Sequence, residues 1–530
     1  MVNRRSFLSL SGAGVATAMV AGTATAHELI GAEATFDKNP FQLGSASGDA
    51  TTDSVILWTR LTPDPTAKDL GMGGQPDAIS VHWRFAESYE DVQSDDTSLY
   101  HGDVDALRTD AWSIHLEVKD AGGPLEPGKQ YYYQFSLPDQ SHKAWIGKTR
   151  TAPLSDADVT ANFAVISCQS AATIGGPTYW HGYTHLEDNP VDFVVHVGDY
   201  IYRESNANTI PADEHCSKIA DYRRRWGWYL TRDNLQRTRR LYPIYAVPDD
   251  HDFYNNCQGA NIKPRLGEGT DWQLQCFNNG MRTFWENMPM RGPRPSAPDG
   301  QHKFTYSLKR IGLNWGAHLD LALMDTRQFR TDPEADEPTM LGSKQLSEVL
   351  DFINGSSATW TTLGSTSPLC MYFRGKDTPT SPVNWSAYPH EREQITEALA
   401  ARNADGGNSI VVAGDVHCGF AAKVVQPTDP ASKDYVATEF SVPPMGSFSG
   451  TDWEARRDSS PNIIEWMGLK DDGSDHNQPQ PLKGYLRCTA SKDRFNTNFI
   501  AGNQPTSKSG KVSSVAKLRV MAGEIGAEAR

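Results

Sequence analysis

Residues 191–202, VDFVVHVGDYIY, join a run of apolar side chains to a carboxylate and a phenol. The run is as long and as uniformly apolar as a strand buried on both faces of a parallel sheet. It breaks at Gly198, Asp199 follows at once, and Tyr202 stands three residues further on. Ligands of open α/β sheets bind beyond the carboxyl ends of the strands, which is where this carboxylate falls. Four more apolar runs end in the same way. Residues 162–168 (NFAVISC) close on Cys168, and residues 242–248 (YPIYAVP) lead into Asp249, Asp250, His251 and Asp252, with Asn255 and Asn256 beyond. Residues 319–324 (LDLALM) run into Asp325 and Arg327, and residues 409–413 (SIVVA) into Asp415 and His417. Taken singly, each of these residues has a structural explanation: a helix cap, a turn, a buried inert thiol. Recurrence at five run ends makes that explanation inadequate.

Brought to one rim, these residues supply carboxylates, imidazoles, a thiol, a phenol and two carboxamides. So many acids cannot stay ionised side by side without cations, and a metal cluster removes the repulsion. Thiolate, phenolate and imidazole select a transition metal, with phenolate suiting Fe3+. Carboxylate and carboxamide oxygens select a hard cation such as Ca2+ or Mg2+. A mixed two-metal centre follows, and the general use of such a centre is hydrolysis at phosphorus. A histidine beside it can protonate the leaving alkoxide.

The elements that must position these residues are of two kinds. Short alternating runs at residues 54–59, 79–85, 112–118 and 130–137, separated by Gly and Pro, predict a small all-β sandwich that ends near residue 153. From residue 162 the apolar runs alternate with helical or loop segments, as in a layered α/β domain. A basic, aromatic segment over residues 219–240 predicts a helix. A length of 530 residues suggests two or three domains, and a net charge of -15 argues against a nucleic-acid partner held through its phosphates. Arg4-Arg5, a modest apolar stretch over residues 8–20 and Ala24-Thr25-Ala26 predict a twin-arginine export signal cleaved after Ala26. No later segment has the roughly twenty apolar residues of a stable membrane span. The seven cysteines are odd in number, so at least one thiol is unpaired. A bond from Cys216 to Cys257 or Cys276 stays open at this point.

With these motifs in order, the chain resembles the PhoD-like alkaline phosphatases and phosphodiesterases of the metallophosphoesterase superfamily. The matching pieces are FQLGSASGD at Phe41, LWTRL at Leu57, SCQ at Ser167, DFVVHVGDYIY at Asp192 and DDHDFYNN at Asp249. DTRQFR at Asp325, MLGSKQ at Met340, WSAYPHER at Trp385 and GDVH at Gly414 complete the set. The resemblance implies an α/β fold: a four-layer metallophosphoesterase β-sandwich core flanked by helices, preceded by a small all-β fibronectin III-like domain. Domain boundaries are expected at residues 1–26 for the signal peptide, 27–153 for the β-sandwich, 154–505 for the catalytic domain and 506–530 for a C-terminal tail. A dinuclear Fe3+ and Ca2+ centre is implied, with other divalent metals as alternatives. Cys168, Tyr202 and His417 would hold iron and Asp199 would bridge. Asp415, with Asp250 or Asn255, would hold calcium, and His251 would be the proton donor. Arg327, or an arginine between residues 223 and 240, is the candidate phosphate clamp.

Three positions depart from the family's pattern. Arg203 follows GDYIY where Glu is usual, Asp252 ends the DDHD motif where Glu is usual, and Pro248 stands in place of a Trp. None is among the implied ligands. The expected activity is exported, metal-dependent hydrolysis of phosphate mono- or diesters, by hydroxide generated at the dinuclear centre. The partners implied are that substrate and the twin-arginine translocase, and the location is periplasmic or secreted. A phospholipase D-like phosphodiesterase is the alternative enzyme, and a non-enzymatic exported binding module is the alternative from another class. Substrate choice would lie in loops over residues 206–219 and 291–302.

Overall fold

The computed structural model describes residues 34–530 except 174–175, 204–215, 260–269, 296–312, 376–377, 380–383, 427–431, 449–459, 461 and 467–481. The export signal and most of the two loops expected to choose the substrate lie outside the described residues.

The apolar run of residues 191–202 forms a strand, Phe193–Val197, with every side chain buried. It pairs in parallel with Ala161–Ile166 on one side and Pro243–Val247 on the other. Parallel neighbours and burial on both faces are the reason this stretch lacks polar alternation. A second parallel set consists of Leu319–Met324, Trp360–Ser365, Asn408–Ala413 and Tyr435–Ser441. The five run ends are therefore divided between two sheets rather than set along one.

The two sheets pack face to face. Phe193 of the first meets Trp315 of the second at 4.6 Å between ring centroids, and Phe440 of the second stacks on Phe495 of the first at 6.2 Å. Helices His181–Asp188 and Asp233–Leu241 contact the first sheet, and Gly342–Gly355 and Pro389–Ala404 the second. The helix expected over residues 219–240 is two helices, Ile219–Leu230 and Asp233–Leu241. The first ends at Thr231, and Asp233 opens the second, where a carboxylate favours a helix N-terminus.

The N-terminal strands divide between two sheets. Tyr100–Leu107, Ala78–Ala86, Gln130–Ser136 and Gly147–Arg150 form a four-stranded sheet of their own. Ser45–Gly48, Ile56–Arg60 and Ser113–Glu117 instead extend the first large sheet, where Ser45–Gly48 runs parallel to Pro243–Val247. The N-terminal region is thus joined to the core by backbone hydrogen bonds. The stretch after residue 505 is also more than a tail: Ser513–Met521 pairs with Arg494–Gly502 in the same sheet. All seven cysteines are buried and none is in a disulfide, so neither pairing left open for Cys216 is present. Among the described residues no helix is long and apolar enough to cross a membrane.

Candidate metal centre

The carboxyl ends of Ala161–Ile166, Phe193–Val197, Pro243–Val247 and Asn408–Ala413 meet at one place between the two sheets. Three overlapping groups of donors lie there, each with its ligand atoms within 4.8 Å of one another: Cys168, Asp199 and His417; Asp199, Asp250 and His251; Asp249, Asp250 and Asp415. Asp199 belongs to two groups and Asp250 to two, so the groups form a continuous chain.

The backbone turns sharply to present these side chains. Cys168, Asp199, Asp415 and His417 all have positive φ, at 52°, 57°, 65° and 54°. Such conformations cost a non-glycine residue free energy and concentrate at functional sites. Gly198, at φ 97°, precedes Asp199, and a Cβ there would lie 2.5 Å from Cβ of Asp249. Only glycine lets the two loops approach so closely. The loops are also tied to each other: the Cys168 N–H donates to the Gly198 carbonyl at 3.2 Å and the Gln169 N–H to the Asp199 carbonyl at 3.2 Å.

The Tyr202 hydroxyl donates to Asp199 at 2.7 Å and lies 2.9 Å from Nε2 of His417. His417 Nδ1 sits 2.5 Å from the Phe448 carbonyl, an acceptor, so the proton belongs on Nδ1 and the Nε2 lone pair faces the centre. The His251 ring stacks on Tyr202 at 4.3 Å, and its backbone N–H donates to Asp199 at 3.3 Å. His251 is half-buried, whereas Asp199 and Asp249 are fully buried.

Burial, with Asp199 alongside, drives the Cys168 thiol and the Tyr202 phenol far above their ordinary values. Burial likewise raises Asp249 and Asp415, against the pull of Arg327. It works against Asp250 too, but Arg327, His251 and the Asn256 N–H together hold that carboxyl down at about 2. Left to protons alone, the pocket would keep its thiol and phenol neutral and its acids partly protonated. A bound cation inverts this logic, because it deprotonates thiol and phenol and neutralises clustered carboxylates. The donor set therefore fits a metal centre, with soft and aromatic donors at the Cys168 end and oxygen donors at the Asp415 end.

Of the residues singled out from sequence, Cys168, Asp199, Tyr202, Asp250, His251, Asp415 and His417 come together. Asn255 sits in the turn just after the short helix Asp250–Asp252. Arg327 is a correction. It is fully buried, its Nε and Nη2 donate to Asp249, and its Nη2 lies 3.7 Å from Asp250 and 3.6 Å from Asp415. It is an internal counter-charge behind the acids, not an open phosphate clamp. Asp249, a run-end residue outside the implied ligand set, belongs to the third donor group. Thr366, whose hydroxyl donates to Asp249 at 2.8 Å, gave no signal in the sequence.

A family model described as PhoD-like phosphatase matches residues 163–499, and one described as PhoD-like phosphatase, N-terminal domain, matches residues 23–153. The chain belongs to the PhoD-like phosphatase family. Alkaline phosphatase D of Bacillus subtilis (strain 168) is 29% identical over 533 residues, which cover 94% of this chain and 84% of that protein. A solved structure of PhoD superposes with a TM-score of 0.78 at 27% identity, covering 93% of each chain. The purple acid phosphatase PPD1 from yellow lupin (Lupinus luteus) seeds shares the fold, with a TM-score of 0.50 at 12% identity over 90% of this chain and 73% of that one. The chain has the mixed α/β fold of PhoD and is a phosphoric ester hydrolase of the alkaline phosphatase kind.

The departures from the PhoD-like pattern lie beside the centre. The Asp252 carboxylate accepts from the backbone N–H groups of Ile201 at 2.9 Å, Asp249 at 2.9 Å and Tyr200 at 3.3 Å. It thereby braces the loop carrying Asp199 and Tyr202 against the one carrying Asp250 and His251. The Arg203 Nε donates to the Cys216 carbonyl at 2.6 Å and its guanidinium lies 4.5 Å over Trp272.

Proposed function

We propose that this PhoD-like phosphatase hydrolyses phosphate mono- and diesters at a dinuclear centre of Fe3+ and Ca2+. The carrying observation is that Asp199 is common to the group of Cys168 and His417 and to the group of Asp250, where one carboxylate would serve both ions. Cys168, Tyr202 and His417 would hold the iron, and Asp250 and Asp415, with Asn255 next to them, the calcium. When bound, such a pair of cations supplies a nucleophile at neutral pH and Lewis acidity toward the phosphoryl oxygens.

The chain's own residues do the remainder. The Phe448 carbonyl fixes the His417 tautomer, so that its lone pair points inward. The Tyr202 ring holds the His251 imidazole in a stack, leaving it partly open to an incoming ester. From there His251 gives its proton to the departing alkoxide oxygen, so the leaving group departs as a neutral alcohol. Arg327 and Thr366 fix the Asp249 carboxylate and keep the acidic wall from rearranging.

The same reading takes the two facing sheets with their outer helices as a four-layer metallophosphoesterase core, which also takes in Ser45–Gly48, Ile56–Arg60, Ser113–Glu117 and Ser513–Met521, and the separate four-stranded N-terminal sheet as the remaining part of a fibronectin III-like module. It takes residues 1–26 as a twin-arginine signal that sends the enzyme to the periplasm or beyond, supported by Arg4-Arg5 and the Ala24-Thr25-Ala26 site. Asp199→Ala tests the centre. The expected variant folds, loses bound metal and no longer hydrolyses p-nitrophenyl phosphate or its bis ester. Undiminished hydrolysis would show that the chemistry lies elsewhere.

A further inference from the structure

The four-stranded N-terminal sheet carries a second set of metal donors, far along the chain from those of the phosphatase centre. His82 lies on strand Ala78–Ala86 and His101 and Asp103 on strand Tyr100–Leu107, with His82 opposite Asp103 and Arg84 opposite His101. Burial alternates over residues 78–82 of the first strand and residues 100–105 of the second, which puts His82, His101 and Asp103 on the more open face, while Arg84 is buried beside them. Asp95 comes from the loop that joins the two strands. One ligand atom each of His82, Asp95 and His101 lies within 4.8 Å of the others.

The hydrogen bonding around His82 is what raises this above a chance cluster. Its Nδ1 is 2.8 Å from an Asp103 oxygen and its Nε2 is 2.9 Å from an Asp95 oxygen. A neutral imidazole has one N–H, so only one of these contacts can be a hydrogen bond. With the proton on Nδ1, held by Asp103, the Nε2 lone pair faces the Asp95 carboxylate. Either a second proton or a cation must stand between them. The second nitrogen ligand, His101, favours the cation, and Asp103 then takes the outer carboxylate position of a carboxylate–histidine–metal triad. Charge agrees: residues 87–107 contain Glu87, Glu90, Asp91, Asp95, Asp96, Asp103 and Asp105 and no Lys or Arg. Arg84 donates at 2.5 Å to the same Asp95 oxygen that faces His82, Oδ1, and leaves Oδ2 of that carboxylate for a ligand bond.

We propose that His82, His101 and Asp95 bind one divalent transition cation of the zinc and copper class, with Asp103 orienting His82. Two nitrogens, one carboxylate and a position open to water match the ligand number and type such ions take. The ion clips the connecting loop to both strands, a structural role separate from hydrolysis.

The test uses the untagged enzyme with its own centre filled. Zn2+ binding is measured by calorimetry and by metal analysis after gel filtration, on the natural protein, on His82→Asn/His101→Asn and on Asp103→Asn. Expected is one further equivalent of Zn2+ on the natural protein, absent from the double variant and bound about 10- to 100-fold more weakly by Asp103→Asn. Phosphate-ester turnover stays unchanged in all three. Cu2+ at the same site should show coupling to two nitrogens by electron paramagnetic resonance, and to one in His101→Asn, which alters only an exposed side chain should the double variant fail to fold. Equal Zn2+ uptake by natural protein and variants, or a copper signal indifferent to His101, would overturn the proposal in favour of a doubly protonated His82 between two carboxylates.

Discussion

Replacing Gly198 by alanine adds one carbon where the loop carrying Asp199 closely approaches the loop carrying Asp249. The new Cβ would fall 2.5 Å from Cβ of Asp249 and 3.2 Å from Cγ2 of Thr366. Carbon atoms settle at about 3.5–4.0 Å, so a relative displacement of about 1 Å is needed. Rotamer changes cannot supply it, because Cβ of Asp249 is fixed to the backbone and its carboxylate is held by Arg327 and Thr366. Placing alanine at positive φ costs about 1–2 kcal/mol. Overpacking adds about 1–3 kcal/mol. At an unfolding entropy of about 2.1 cal/mol/K per residue, the 530-residue chain loses about 1 °C of melting temperature per kcal/mol, hence a drop of about 2–5 °C. Activity should suffer far more, since a shift of about 1 Å in the positioning of reacting groups costs about 100-fold. The assay is kcat on p-nitrophenyl phosphate beside the melting temperature, on enzyme of known metal content. Turnover within about threefold of the natural enzyme, or less than about 0.7 kcal/mol in barrier, would refute the tight approach of these loops.

Three further outcomes are expected. His196, 1% exposed, is pushed down to about 3 by burial and then by Arg239, against an ordinary 6.5. Its folded form stays neutral where the unfolded chain takes up a proton, so stability present above 6.5 is lost as pH falls, by about 2 kcal/mol at about pH 5; His196→Phe should flatten that acid limb in denaturant titrations, and an unchanged limb would clear His196. Arg327→Met leaves Asp249 buried without its counter-charge and should cost about 3–5 kcal/mol by chemical unfolding, whereas a near-neutral effect would mean that Asp249 is protonated. His251→Ala should slow turnover about 100- to 10,000-fold with metal content kept, most for esters with poor leaving groups, and loss of metal would make His251 a ligand instead.

The strands that build the centre were legible because burial on both faces strips a strand of polar residues, and the first polar residues after it must then lie at the rim. This located Asp199, Asp415 and His417, and the DDHD turn after Pro243–Val247, to within a residue or two. The division of the runs between two sheets was not legible, since apolar runs carry no mark of which sheet they enter. Strand Trp360–Ser365 was missed because its WTTLGS sequence is neither uniformly apolar nor alternating, although it delivers Thr366 to Asp249. Arg327 was misread for a related reason. An arginine beyond a strand end looks the same in sequence whether it faces a substrate or a buried acid 78 residues away. The His82 cluster went unnoticed because its members fall on two strands and a loop, and only the register of the hairpin brings them together.

The most direct test of the central claim is the metal content of the folded, untagged enzyme isolated without added metal. Iron and calcium in near-equal amounts, with a visible absorption band that disappears in Tyr202→Phe, is the predicted result. A protein that hydrolyses phosphate esters while holding no stoichiometric metal, even after reconstitution, would contradict it.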